Sequence, residues 1–331
     1  MLRIFHNTQY DFIKPWRIMV ALTVGFIVIG LGSLAFNGIR YSIDFTGGTM
    51  MQIRFNQPPD VSRLRSLLDQ GGVRDAEIQS FGSNREYTVR AQDVARSESK
   101  TGSTDSVSAQ VRGIFTKAFG QSAFQVVRTE SVGSRVGSEL RSGAIKAILA
   151  SFLLTLLYLA WRFEWRFGVA AVFATAHDIC TTMAFIKLMN LEVSLTVVAA
   201  ILTVIGYSLN DTIIIFDRVR ENLRRRRREP LYDTLNRSVN ETLPRSVMTH
   251  ATAFAATIAL LIFAGEVIRP FAWVMAFGIV TGTFSSIYVA APVLLWIERR
   301  WPREVSTAQG GPAAKKPAPR SQKATETAGV R

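Results

Sequence analysis

Six runs of apolar residues, each about 18 to 25 residues long, constrain this chain more than any other feature. That is the length an α-helix needs to cross a hydrocarbon core about 30 Å thick at 1.5 Å per residue. The runs cover residues 18–36, 144–161, 167–186, 193–216, 247–264 and 271–297. A soluble core does not need runs of that length, so the expected fold class is a polytopic α-helical membrane protein with six transmembrane helices. Of 331 residues, 48% are hydrophobic, and the formal net charge is +14. Charge alone would suit either basic cytoplasmic loops or a nucleic-acid binder. Collection of the apolar residues into spans favours the loops.

The first run follows a short basic leader, residues 1–17, with Arg3, Lys14 and Arg17. It reads as a retained anchor, since its length exceeds a signal-peptide core, although Ser33-Leu34-Ala35 has the small-x-small form of a cleavage site. An even number of spans puts both termini on one side. Arg162, Arg166, Arg218, Arg220, Arg224 through Arg228, Arg299, Arg300 and Arg303 all fall on the leader's side. The opposite connections, near Asn190 and Glu266, are short and carry little positive charge, so the positive-inside rule makes the arginine-rich side cytoplasmic. The Arg224–Arg228 run is read as an orientation signal beside anionic membrane lipid, and no nucleic-acid partner is expected. Spans two to six occupy 142–298 with a basic cytoplasmic loop at 217–243. The tail, 299–331, is rich in Pro, Ala, Gly, Ser, Thr and Lys and is expected to be disordered.

Residues 37–141 form a hydrophilic stretch long enough for one small domain on the far side of the membrane. Met51-Gln-Ile-Arg-Phe55 alternates as a strand. After Asp60 as N-cap, Val61, Leu64, Leu67 and Leu68 mark a helix face. Ile78 and Phe81, then Tyr87 and Val89, suggest two strands about the turn Gly82-Ser83-Asn84. Val107, Val111, Ile114, Phe115 and Ala118 mark a second helix, and 124–127 a last strand. That order, β-α-β-β-α-β, predicts a small α+β ferredoxin-like domain. Segment 96–106 reads as a mobile loop.

Polar groups at membrane depth are the informative positions, because a charge there costs about 2.5–3.5 kcal/mol on insertion scales. In the fourth span Thr203, Tyr207, Asn210, Ile214 and Asp217 share one face at helical spacing, with Asp211 beside them. That face must meet protein or water. Asp217 and Arg218 sit at the span's end and read as interfacial. Asp211 lies about two turns deeper and reads as either a titrating group or a hydrogen-bonded helix glue. His177-Asp178 in the third span is open between structural hydrogen bonding and proton handling. A metal site is not expected, since His6 and His250 show no ligand spacing with it, and the single Cys180 excludes disulfides within the chain.

The fifth span is expected to start at Leu243-Pro244-Arg245-Ser246, with Thr249, His250 and Thr252 following. Arg245 reads as the counter-charge of Asp211, or as one more positive-inside residue. Leu231, Leu235, Val239 and Leu243 suggest an amphipathic helix lying along the membrane surface before it. Gly278-Ile-Val-Thr-Gly282 in the last span is a close-packing pattern.

These landmarks together resemble the SecD/SecF family of Sec translocase accessory subunits, related to the resistance-nodulation-division (RND) transporters. Tyr41-Ser-Ile-Asp44-Phe45-Thr46-Gly47-Gly48 is similar to the family's D-F-T-G-G motif, and Glu130-Ser-Val-Gly133 to the next one. Gly206-Tyr-Ser-Leu-Asn210-Asp211-Thr, Phe216-Asp217-Arg218 and Glu221-Asn222 resemble the fourth-span signature of its SecF branch. Asn236, Asn240, Thr242, Arg245, Ser246 and Thr249 match the pattern leading into span five. The resemblance implies SecD and the SecYEG channel as partners, with YajC and YidC as further candidates. It also implies unfolded exported polypeptides as the substrate, the bacterial inner membrane as the location, and use of the proton-motive force for export and insertion. Asp211 and Arg245 map onto the family's essential intramembrane pair, with Asn210 and Thr249 beside them. Rival expectations are a proton-coupled RND-type exporter of small molecules or lipids, and a structural translocon assembly factor without proton use. No H-E-x-x-H, P-loop or nucleophile-elbow pattern occurs, so neither an enzyme nor a cofactor is expected.

Overall fold

The computed structural model describes residues 8–73, 76–91, 105–226 and 229–302. Expectations for the first seven leader residues, for the loop at 96–104, for Arg227 and Arg228 and for the tail from residue 303 lie outside the described residues.

Six helical stretches have the length and apolarity of membrane spans. These are α1 (Trp16–Asn37), α5 (Ser134–Arg162), α6 (Trp165–Leu188), α7 (Leu195–Arg225), α8 (Leu231–Phe263) and a last stretch, Arg269–Arg300. The last stretch comprises α9 (Arg269–Ser285), a π-helical turn (Ser286–Ala290) and α10 (Ala291–Arg300). In α6, α7 and the last stretch about half of the most apolar window is buried, whereas α1, α5 and α8 leave most of theirs uncovered.

Several helices outrun their apolar segments. The basic segment at 217–243 is not a loop, because α7 continues to Arg225 and α8 starts at Leu231. Pairs one turn apart support those ends: Arg218 with Glu221 at 2.5 Å and Arg225 with Glu221 at 2.7 Å. Arg218 also reaches across to Glu241 at 2.6 Å. The expected surface helix and the fifth span are likewise one helix, with Pro244 inside α8 rather than in its first turn. Leu235 and Val239 bury the apolar face of that extension in a core with Phe216 and Val219. Its polar face takes the N-terminal strap: Tyr10 N–H donates to Asn240 Oδ1 at 3.0 Å and Phe12 N–H to Asn236 Oδ1 at 2.9 Å.

Between α1 and α5 lies the α+β domain. A short helix, α2 (Ile43–Thr46), precedes β1 (Gly48–Phe55), α3 (Val61–Gln70), β2 (Glu77–Phe81), β3 (Ser83–Ala91), α4 (Asp105–Phe119) and β4 (Phe124–Val132). The antiparallel sheet runs β2-β3-β1-β4, which is the split βαβ arrangement. Asp60 caps α3 by accepting from Ser62 N–H at 2.9 Å. Met51, Ile53 and Phe55 from β1 pack with Leu64 and Leu68 of α3 and Val111 and Phe115 of α4, so alternation at period two meets helical spacing across one core. The expected three-residue turn tightens to Gly82, at φ +72°, because β3 begins at Ser83. Helix α5 starts at Ser134, so the domain ends before the expected boundary at 141.

The domain is seated on the helices by the D-F-T-G-G segment. Asp44 Oδ2 accepts the Leu195 N–H at 3.0 Å, holding the first turn of α7. Ser42 N–H donates to Val193 O at 2.9 Å and Val193 N–H to Arg40 O at 2.8 Å. Arg90 of β3 pairs with Glu192 in the same turn and donates to Tyr41 O at 3.0 Å. Gly47, at φ +73°, lies so close to α5 that a Cβ there would sit 2.7 Å from Ser134 Cα. At Gly137 a Cβ would sit 2.8 Å from Gly47 N. The segments around Gly48 and Val132 pair in register, which brings the two motifs flanking the domain together.

Candidate functional site: the buried acid of the fourth span

Helix α7 places Asp211 at its contact with α8, where the residue is 3% exposed. Ser246 Oγ donates to Asp211 Oδ1 at 2.5 Å, while Oδ2 is buried without a partner among the described residues. Helical spacing then fixes the neighbours. His250 follows Ser246 by one turn on α8, and its Nδ1 lies 3.0 Å from Thr283 Oγ1 of α9. Tyr207, one turn before Asp211, stacks at a tilt on His250 with ring centroids 5.3 Å apart and donates its hydroxyl to Thr249 O at 3.0 Å.

Arg245 does not pair with Asp211. Successive residues on a helix point about 100° apart, so a helix that turns Ser246 toward Asp211 turns Arg245 away. Arg245 is exposed and forms no ion pair among the described residues. Thr249 shares its face, with its hydroxyl donating to Arg245 O at 2.9 Å. Thr203 and Asn210 are exposed as well. The face of α7 singled out in the sequence is therefore the uncovered one, and with Arg245 and Thr249 of α8 it makes a polar strip amid apolar helix. Asp217, toward the C-terminal end of α7, lies 3.3 Å from Arg162 and 3.8 Å from Arg220.

On the opposite side of α7 lies a second polar cluster. Asp178 of α6 is fully buried. Its Oδ2 accepts from the hydroxyls of Ser208 on α7 and Ser285 on α9, the latter at 2.8 Å. Its Oδ1 lies 3.2 Å from His177 Nδ1. Thr212 Oγ1 and Ser286 Oγ are 2.8 Å apart. The two glycines of the last span make this approach feasible, since a Cβ at Gly282 would stand 2.9 Å from Ser208 Cβ and one at Gly278 would overlap Val204. Ser208, Ser285 and His250 carry no sequence signal of their own, because single hydroxyls and a lone histidine are common inside spans.

Comparisons with known proteins agree with this architecture. Residues 112–300 match the family model of the protein export membrane protein SecD/SecF, C-terminal, and residues 32–59 match the SecD/SecF GG motif. The protein translocase subunit SecF of Gemmatimonas aurantiaca is 59% identical over 305 residues, 92% of this chain and 91% of that protein. SecF of Desulfurispirillum indicum is 41% identical, covering 85% and 90%. A crystal structure of SecDF, a translocon-associated membrane protein from Thermus thermophilus, superposes with a TM-score of 0.79 at 36% identity over 89% of this chain. The chain spans 39% of that SecDF. A SecDF structure in the super-membrane-facing form gives a TM-score of 0.64 at the same identity. On these matches the chain is a multi-pass membrane protein and belongs to the SecF family of protein translocase subunits.

Proposed function

We propose that this chain is an accessory subunit of the Sec machinery that works with SecD to convert the proton-motive force into movement of unfolded polypeptides across the inner membrane, and into insertion of membrane segments. The observation that carries the reading is Asp211: a carboxyl at membrane depth with one serine donor and, among the described residues, one orphaned oxygen and no lysine or arginine paired to it. Such a group is costly to keep charged. Gain or loss of its proton changes what Ser246 and its neighbours can bond to, and so how α7 and α8 fit together.

The first turn and the middle of α7 support coupling. Its first turn is held by Asp44 of the segment that seats the α+β domain, and its middle carries the acid. A shift of α7 relative to α8 is thereby delivered to the domain, which in this reading lies on the periplasmic side and works against the emerging chain, with both termini cytoplasmic. The uncovered strip of Thr203, Asn210, Arg245 and Thr249 is where the SecD half of the bundle packs, and where Arg245 comes into play. SecYEG is the channel served, and YajC and YidC are further associates. Moving one charge through 100 mV is worth about 2.3 kcal/mol, enough to bias a conformational equilibrium roughly fifty-fold.

The test compares Asp211→Asn and Arg245→Met, each assembled with SecD, for export assistance with and without a proton gradient. Loss of the gradient's effect with normal membrane insertion is the expected result. Unchanged gradient-driven export in both variants overturns the energy-coupling role and leaves a structural assembly factor.

A further inference from the structure

We propose that His177 and Asp178 form a second proton-holding site of the membrane core, with the hydroxyls of Ser208 and Ser285 as its relay. The proposal rests on the reading that this chain is proton-driven, and it assigns part of that work to a second acid, on α6, that meets α7 one turn before Asp211.

Burial is the first ground. Asp178 is 0% exposed, more deeply enclosed than Asp211. Among the described residues no lysine or arginine pairs with it; the basic group within ion-pair distance is His177, itself able to carry a proton. The surrounding elements supply hydroxyls rather than charges. From α7 comes Ser208, with Asp211 turned away to Ser246; from α9 comes Ser285. Tyr288 of the π-helical turn touches the cluster through Phe284, which stacks on His177 at 6.4 Å and 17°. Cys180 follows on α6, Lys146 and Tyr158 of α5 are exposed, and α1 carries no ionisable group beyond Arg17. One proton therefore has two homes within a single hydrogen bond. It sits on His177, making an ion pair, or on Asp178, making both groups neutral.

Connectivity is the second ground. His177 Nε2 is buried and unpartnered among the described residues, a polar atom that a purely structural hydrogen-bond cluster would leave satisfied. Serine hydroxyls both donate and accept, and Ser208 Oγ and Ser285 Oγ lie 3.5 Å apart with either able to be the donor. Ser285 stands at the last position of α9, directly before the π-helical turn, a rare local geometry that is frequent at functional sites. Ser208 is three residues before Asp211 on the same helix. A proton on Asp178 occupies one acceptor position now shared by two serines and the histidine, so α6, α7 and α9 must re-partner together. Asp178 thus bears on α7 at Ser208, one turn from Asp211 on neighbouring sides of the same helix.

The experiment uses the complex with SecD in membrane vesicles and compares wild type, Asp178→Asn and Asp211→Asn for gradient-driven export. Asn keeps the volume of the side chain and can bond to both serines, so a gluing role survives the change and a titrating role does not. The expected result is that Asp178→Asn assembles with SecD and loses gradient-driven export at least about tenfold. Full export by Asp178→Asn together with loss in Asp211→Asn overturns this proposal and leaves the first reading standing. Full export by both overturns both. Should Asp178→Asn fail to assemble, His177→Gln and Ser285→Ala, which keep the carboxyl, are expected to shift the pH profile of export; an unshifted profile overturns the proposal.

Discussion

The Asp44 carboxylate accepts the backbone N–H of Leu195 at 3.0 Å across 151 residues of sequence, so a residue just outside the first span caps the helix that carries Asp211. Asp44→Ala is expected to cost about 1 kcal/mol, the usual scale for a lost helix cap, and Asp44→Asn much less. Faster hydrogen exchange at the first turn of α7 in the alanine variant, with α6 unchanged, is the measurement that checks it.

Ser246 is the donor on Asp211. Ser246→Ala leaves a buried carboxyl with neither oxygen bonded and is expected to destabilise the α7–α8 contact by about 1–3 kcal/mol. Ser246→Thr keeps the hydroxyl and should retain most of the stability. Thermal unfolding of the detergent-solubilised protein, read beside gradient-driven export, separates the two variants.

Gly278 faces Val204 at a distance that leaves no room for a methyl group. Gly278→Ala is expected to lower stability by about 1–3 kcal/mol through overpacking. Adding Val204→Ala removes the colliding atoms, so the double variant should recover most of the loss; purely additive losses in a double-mutant cycle would contradict the packing argument.

Two carboxylates outside the spans predict opposite pH responses. Hydrogen bonds from Arg54 and then Gln52 hold Glu86 below its ordinary value of 4.5. That contribution is complete above 4.5 and is lost as the pH falls through the lowered value. Burial raises Glu192, and Arg90 offsets this only in part. The docked state therefore binds a proton at Glu192 more readily than the released state does, and ionisation opposes docking. Acidification toward the raised value tightens the seat of the domain on the α6–α7 turn. Spin labels at Asn84 and Met189 should show a narrower distance distribution as the pH is lowered toward the raised value, and Glu192→Gln should abolish that change.

The spans were legible because length and apolarity are one-dimensional signals, and Asp60 as an N-cap and Leu64 and Leu68 as a helix face were legible for the same reason. What escaped was rotation. The pattern at Thr203, Tyr207 and Asn210 identifies a face of α7, but which neighbour it meets depends on how the helices are turned. Arg245 therefore reads as the partner of Asp211 although Ser246, one residue on, takes that place. Pro244 looks like a helix start, yet α8 runs through it, because the polar segment before it is held by the N-terminal strap rather than by lipid. The serines that bind Asp178 are invisible until three helices converge.

The meeting of Gly47 with Gly137 has a mechanical consequence. Backbone rests on backbone there, with no side chain between them to change rotamer. Such a joint cannot absorb displacement by repacking; it transmits force or it parts. Any rotation of the domain relative to the bundle must then pivot about this point, with the compliance supplied by the long side chains of Arg90 and Glu192 on the neighbouring strand and turn.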